Sequence, residues 1–427
     1  MQQLFSITSI EAIMKNKRKA AYSFLVLLGV VSLFSDLTYE GARSIIGPYL
    51  LLLGAPAATV GFVSGLGEFI GYAFRLVTGY ISDRTKRYWL ITIIGYAINL
   101  LAIPALALAP GMGWVFACGL LVAERFGKAI RNPAKTTIAS FAAQEVGVGK
   151  GFALQEMLDQ IGAFLGPVML SIVLTVKGAG GGFGGYQLGF LLLGIPAVIT
   201  LGLLLTAKRL FPRPQDFEPE AAPSAAPGSL RKAFWLYLAG IACLAAGFAD
   251  FPLMAYHFAH AKLFAENQVP VLYAMAMAVD AGAALVFGNL YDRKGIGAII
   301  LSSAISAFFA PLAFLAGAPW AAVAGVALWG IGMGAQESIL KAAVTTMVPR
   351  ERRGTAFGIF NAGFGAFWFL GSWLMGALYD KAIVWLVVFS VAAQLASLPF
   401  FFAARSAMGR PARADGGAGG GTGGSAA

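Results

Sequence analysis

Residues 79–87 read GYISDRTKR, and residues 288–295 read GNLYDRKG. In each, a glycine stands four residues before an Asp-Arg pair, more basic residues follow, and a long apolar run comes before. Two further correspondences keep the same order along the chain. Phe34-Ser35-Asp36 is matched by Phe248-Ala249-Asp250, and Arg131 four residues before Lys135 is matched by Glu337 four residues before Lys341. Three coincidences in one register point to a duplicated unit.

Outward from these loops the chain is apolar. Only 12% of the 427 residues are charged and 58% are hydrophobic, too few charges to cover a soluble surface of this size. Runs long enough to cross a bilayer as helices fall at 21–53, 59–80, 88–109, 113–140, 150–176, 186–207, 232–258, 268–290, 296–317, 319–347, 354–379 and 382–404. The expected fold is an all-α membrane protein of twelve transmembrane helices in two pseudo-symmetric six-helix bundles. Residues 1–20 form an N-terminal segment, 21–207 the first bundle, 208–231 a Pro- and Ala-rich linker, 232–404 the second bundle and 405–427 a Gly-rich, disordered tail.

The formal charge of +11 is distributed in a way that excludes a nucleic-acid partner as its cause. Lys15, Lys17, Arg18 and Lys19 precede the first run. Arg84, Lys86, Arg87, Lys208, Arg209, Arg293, Lys294, Arg352 and Arg353 follow even-numbered runs, while the alternate loops hold only Lys177, Lys262 and Lys381. The positive-inside rule then places both termini in the cytoplasm.

The loop G-x-x-x-D-R-x-x-R resembles the signature of the major facilitator superfamily, matched at Gly79, Asp83, Arg84 and Arg87 and more briefly at Gly288, Asp292 and Arg293. Arg125 resembles the family's arginine in span four. Gly162-Ala-Phe-Leu-Gly166-Pro167 is similar to the antiporter motif of span five, with Ala153 where a leading glycine belongs. The overall similarity is nearest to bacterial permeases close to the drug/proton antiporters. The resemblance implies a midplane site between two rocking halves, lined by spans 1, 4, 7 and 10. It also implies that Asp83, facing the region before Gly354, and Asp292, facing span five near Lys150, gate the inner end.

Charges inside spans are costly in a bilayer, so they face a cavity and have partners. Asp36, Glu40 and Arg43 fall on one helical face, as do Glu124, Lys128, Arg131 and Lys135. Span seven adds Asp250 and His257, span ten Glu337 and Lys341, span two Glu68 and Arg75, span five Glu156 and Asp159, and span eight Asp280. Asp36, with no basic residue one turn away, leads Glu40 and Glu337 as the proton-coupling carboxylate. Arg43, Arg125, Lys128, Arg131, Asp250, His257 and Lys341 are the expected substrate contacts. Glu124 precedes Lys128 by one turn and can satisfy it, which leaves Arg131 to meet either an anionic substrate or Glu337.

The expected activity is secondary transport of a small organic solute, proton-coupled and outward, by a monomer with no cofactor and no metal. Uptake of an organic anion or metabolite is the alternative. An intramembrane enzyme would need a nucleophile with a base or a metal set, and His257 and His260 are the only histidines. No appended module suggests a sensor, and Cys118 and Cys243 read as small packing residues.

Overall fold

The computed structural model describes residues 2–146, 148–177, 182–217, 232–348 and 353–408; the side chains of Asp83 and Lys341 lie outside that description, as do Lys150, Arg350 and Arg352. Within it, long apolar segments become twelve long helices and no strand is present among the described residues. These are α1 (Gln2–Leu52), α2 (Ala57–Thr85), α3 (Tyr88–Met112), α4 (Trp114–Val146), α5 (Val148–Lys177), α6 (Phe183–Leu210), α7 (Lys232–His260), α8 (Gln268–Lys294), α9 (Ile296–Leu315), α10 (Pro319–Met347), α11 (Arg353–Lys381) and α12 (Ile383–Met408). Eleven are long and apolar enough to cross a membrane. The exception is α4, whose Glu124, Arg125, Lys128, Arg131, Lys135 and Glu145 dilute its apolar content. Exposed large apolar side chains such as Val176, Leu285 and Trp320 cover the outside, as lipid contact requires.

The pairing of helices repeats along the chain. α1 packs on α5 and α6, and α2 on α4; correspondingly α7 packs on α11 and α12, and α8 on α10. Between these sets α2 lies along α11, α5 along α8, and α1 against the second part of α7. Glycine permits the closest of these approaches. A Cβ on Gly61 would stand 2.3 Å from the Ser372 carbonyl oxygen, and one on Gly376 would stand 2.5 Å from that of Ala57. The two glycines of the span-five motif do the same work within one set: a Cβ on Gly162 or Gly166 would meet the Leu33 or Leu37 carbonyl of α1 at 2.2 or 2.3 Å. Small residues let helix backbones meet where lipid provides no hydrophobic drive.

The sequence predicts one continuous span over 232–258, and the structure breaks it. α7 is helical over Lys232–Gly247, extended at Asp250 and helical again from Phe251 to His260. The cause is local: Pro252 lacks an N–H donor, and the Asp250 carboxylate caps the second part by accepting from the Phe251 N–H at 2.9 Å. In a bilayer the freed carbonyls must find donors. Trp329 Nε1 donates to Ala249 at 2.8 Å, and Ser390 Oγ and Gln394 Nε2 donate to Gly247 at 2.6 and 3.2 Å.

Gly166→Leu places a branched side chain against the α1 backbone and is expected to lower stability by about 1–3 kcal/mol. A thermal unfolding series in detergent, with Gly202→Leu as a control at an open helix face, checks this. Equal melting temperatures for the two variants would show that the motif glycines are not packing contacts.

Candidate functional site

The two charged stripes meet. Asp36, Glu40 and Arg43 of α1 and Lys128, Arg131 and Lys135 of α4 line one cavity of about 510 Å³. Arg75 of α2, Glu156 and Asp159 of α5, Tyr273 and Asp280 of α8, and Glu337 of α10 complete its wall. The cavity continues into a mouth of about 550 Å³ that reaches Gly79, near the end of α2 that carries the first Asp-Arg loop, and Ser140, near the end of α4. Its upper side adjoins an aromatic recess of about 160 Å³ formed in part by Tyr72, Phe360, Phe364 and Trp368.

Arg43 organises the closed end. Its Nη2 lies 2.5 Å from Asp250 Oδ1 and 3.5 Å from Glu68 Oε1, and its Nη1 lies 3.9 Å from Glu40 Oε2. Only 5% of Arg43 and 1% of Asp250 is exposed, so both charges rely on each other rather than on water. Arg125 approaches the same cluster from α4. It lies 3.0 Å from Glu68 Oε1 and donates to the Tyr39 hydroxyl, which also accepts from Arg43 at 3.4 Å. The path of Arg125 exists because residue 67 is glycine: a Cβ there would come within 2.6 Å of its Cγ. Tyr273 donates to Glu40 Oε2 at 2.6 Å.

Lower down, Arg131 Nη2 stands 3.9 Å from Asp36 Oδ1, and its guanidinium lies over the Tyr96 ring at 4.2 Å. Asp36 therefore has a cation from α4, which periodicity within α1 could not reveal. A pair between Arg131 and Glu337 is not among the ion pairs of the described residues, although both line the cavity. Lys135 is 3.8 Å from Asp159 Oδ2 and donates to Ser32 Oγ. The expected Glu124–Lys128 pair is replaced. Glu124 turns to α3, where Asn99 Nδ2 donates to its Oε1 at 2.5 Å, and it lies 3.4 Å from Arg125 Nε. Lys128 instead sets its ammonium over the Tyr39 ring at 3.6 Å. The reason is geometric: α3 and α4 approach so closely at Gly127 that Asn99 reaches Glu124 before Lys128 does.

His257 is not brought to the cavity. Its Nδ1 lies 3.0 Å from the Tyr379 hydroxyl, with its ring against Phe314. Asp250 also works from behind the wall, through Arg43. Of the loop residues, Gly79 borders the mouth, Arg84 donates to the Tyr80 hydroxyl at 3.1 Å, and Arg84, Arg87, Asp292 and Arg293 are exposed. Gly288 has open space where a Cβ would stand. The side chains of Asp83 and Lys341 lie outside the described residues. Residues that sequence reasoning did not single out carry much of the geometry: Tyr273, Asn99, Tyr96 and Ser32 each hold a charged group. The buried polar positions Asn99 and Ser32 were the only available signal.

The opposite end is closed by bonds between the two sets of helices. Asp380 of α11 accepts from the Ala57 and Ala58 N–H groups at the start of α2, at 3.1 and 2.8 Å. Tyr256 donates to the Ala55 carbonyl at 3.3 Å. Ser171 donates to the Asn267 carbonyl at 2.7 Å, and Asn267 donates to Thr175 at 3.0 Å.

A charged central cavity, a broken helix at its closed end and a repeated helix arrangement accord with one family profile, that of the Major Facilitator Superfamily, which matches residues 28–372. The chain belongs to the Major Facilitator Superfamily. It is a membrane transporter of that family and not an enzyme. An uncharacterized protein of Mycobacterium tuberculosis is 41% identical over 391 residues, covering 90% of this chain and 94% of that one. The fold is similar to that of a bacterial homologue of the human lysosomal transporter Spinster in an inward-facing, unoccupied conformation, with TM-score 0.70, 14% identity, and 91% and 98% of the two chains covered. It is also similar to that of a nucleoside transporter, with TM-score 0.70, 15% identity, and 88% and 100% covered.

Asp250→Asn leaves the Arg43 guanidinium buried without its main counter-charge. It is expected to cost about 3–5 kcal/mol, read as a large drop in melting temperature. The double variant Arg43→Met, Asp250→Leu should recover most of that loss; no recovery would mean that the pair is not the source of the effect.

Proposed function

We propose that this superfamily member is a secondary transporter that carries a small charged organic solute through the cavity between α1, α4, α8 and α10 by alternating access. In this reading all twelve helices cross the bacterial inner membrane as two six-helix units, with the Asp-Arg loops and both termini on the cytoplasmic side. The single observation that supports it best is the asymmetry of the cavity: open toward the loops, closed at the other end by Asp380, Tyr256 and Asn267. That arrangement corresponds to an inward-facing state. Asp83 and Asp292 would close the inner gate when the units rock outward, and their exposed neighbours Arg84, Arg87 and Arg293 suit an open gate.

Proton coupling is assigned to Asp36 and Glu40, with Glu337 beside them on the wall. Each of the first two is held by a cation, Arg131 or Arg43. A cationic group of the solute and a proton would compete for Asp36: the proton removes the charge that holds the solute, and its departure restores a carboxylate that can bind the next one or return to Arg131. The exchange makes solute and proton compete, which favours antiport and hence export, as the drug/proton antiporter resemblance also suggests. The number of cavity cations favours a second reading, uptake of an organic anion. The protein would act as a monomer.

Spin labels at Thr85 and Lys294, at the exposed ends of α2 and α8, should move closer together when the inner gate closes. Distance measurements in lipid at two pH values read this directly. One unchanging distance would rule out alternating access. In proteoliposomes with an entrapped pH dye, a panel of organic anions, zwitterions and cations should include a solute that shifts luminal pH. The Asp36→Asn, Glu40→Gln variant should reduce that shift at least tenfold, and an unchanged response would remove both residues from the coupling role.

A further inference from the structure

Two features of the cavity remain unused by the mechanism above. The first is Asp280 on α8, which is 2% exposed and whose Oδ1 has no hydrogen-bond partner among the described residues. The charged groups facing it are Glu337 of α10, Glu156 of α5, Glu40 of α1 and, as the counter-charge, Arg43. Across the same cavity the cations Lys128 and Arg75 rest on the Tyr39 and Tyr72 rings, at 3.6 and 5.1 Å, and form no ion pair among the described residues. Acid is thus available on one wall and base on the opposite wall.

The second feature is a groove of about 640 Å³ between α5 and α8. Its walls are almost wholly apolar, with Ile161, Phe164 and Leu165 on one side and Ala281 and Leu285 on the other. Four residues, Glu156, Gln160, Met277 and Ala284, line both groove and cavity, so the two spaces lie on either side of the same few side chains. The exposed Phe164, Leu165 and Leu285 put the far side of the groove in the lipid region. A charged cavity flanked by an apolar, lipid-facing groove suits a molecule that is charged at one end only. Its apolar chain need never cross the polar interior, because it stays in an apolar environment while the headgroup leaves the interface.

Resting on the transport reading above, we infer that the substrate is a zwitterionic single-chain amphiphile whose ammonium meets Asp280, whose anionic group meets Lys128 and Arg75, and whose chain leaves through the α5–α8 groove. Lysophosphatidylethanolamine is a suitable probe, with glycerophosphoethanolamine as the same headgroup without a chain and lysophosphatidic acid as the same chain without the amine.

In proteoliposomes, movement of headgroup-labelled lysophosphatidylethanolamine between leaflets should exceed the protein-free rate at least tenfold, and glycerophosphoethanolamine should move at least tenfold less. Plugging the groove from either helix, with Ala281→Trp or Leu165→Trp, should reduce amphiphile movement at least tenfold while the Thr85–Lys294 distance change persists. Asp280→Asn should weaken binding of lysophosphatidylethanolamine tenfold but leave lysophosphatidic acid unaffected. Equal movement with and without a chain, indifference to both plugs, equal effects of Asp280→Asn on the two lipids, or no movement above protein-free vesicles would each overturn the inference. If the distance change survives in any of those cases, alternating access still stands; if the unmodified protein shows no distance change, that broader reading is the one that fails.

Discussion

The contact between Arg43 and Asp250 is the constraint on which the rest of this structure depends. A guanidinium and a carboxylate so deeply buried in the bilayer interior stabilise each other, because each is almost cut off from water and alone carries a large desolvation penalty. Their meeting ties α1 to the point where α7 breaks. The break follows from the same carboxylate, since Asp250 both caps the second part of α7 and binds Arg43. One side chain thereby shapes a helix and joins the two sets of helices. Trp329, Ser390 and Gln394 exist in their buried places because the break leaves carbonyls that no lipid can satisfy.

From that anchor the charges spread downward in linked pairs rather than as independent sites. Glu68 serves both Arg43 and Arg125, Tyr39 accepts from both, and Glu40 is shared between Arg43 and Tyr273. Such sharing means that a new charge in the cavity disturbs several contacts at once. An anion competing for Arg131 would act on Asp36, and anything that displaces Arg43 from Asp250 acts on the contact between α1 and α7. Electrostatic competition at the cavity and the packing of the closed end are therefore parts of one network.

Some of this was legible residue by residue. The Gly79–Arg87 and Gly288–Gly295 loops carried the repeat, and the heptad-like stripes on α1 and α4 placed Asp36, Glu40, Arg43, Lys128 and Arg131 on faces that do converge. Partner choice was not legible. Asp36 looked free of cations because its partner comes from another helix, and Glu124 looked satisfied by Lys128 because Asn99, 25 residues earlier in the chain, was out of view. The break in α7 was announced by Pro252 but hidden by the apolar residues on either side. His257 carried a reactive side chain in an expected cavity helix, yet its part of α7 turns toward Tyr379 and Phe314.

By itself, the sequence determined the helical, membrane-embedded class, the family and the faces on which charge lies, since these follow from composition and from a 3.6-residue period that operates within single segments. Only the tertiary structure decided which charges pair, where the cavity opens, and that the α5–α8 groove lies beside it. Those properties depend on the distance between helices far apart in the chain. That distance is set by glycines and buried pairs acting across interfaces, and no local periodicity encodes it.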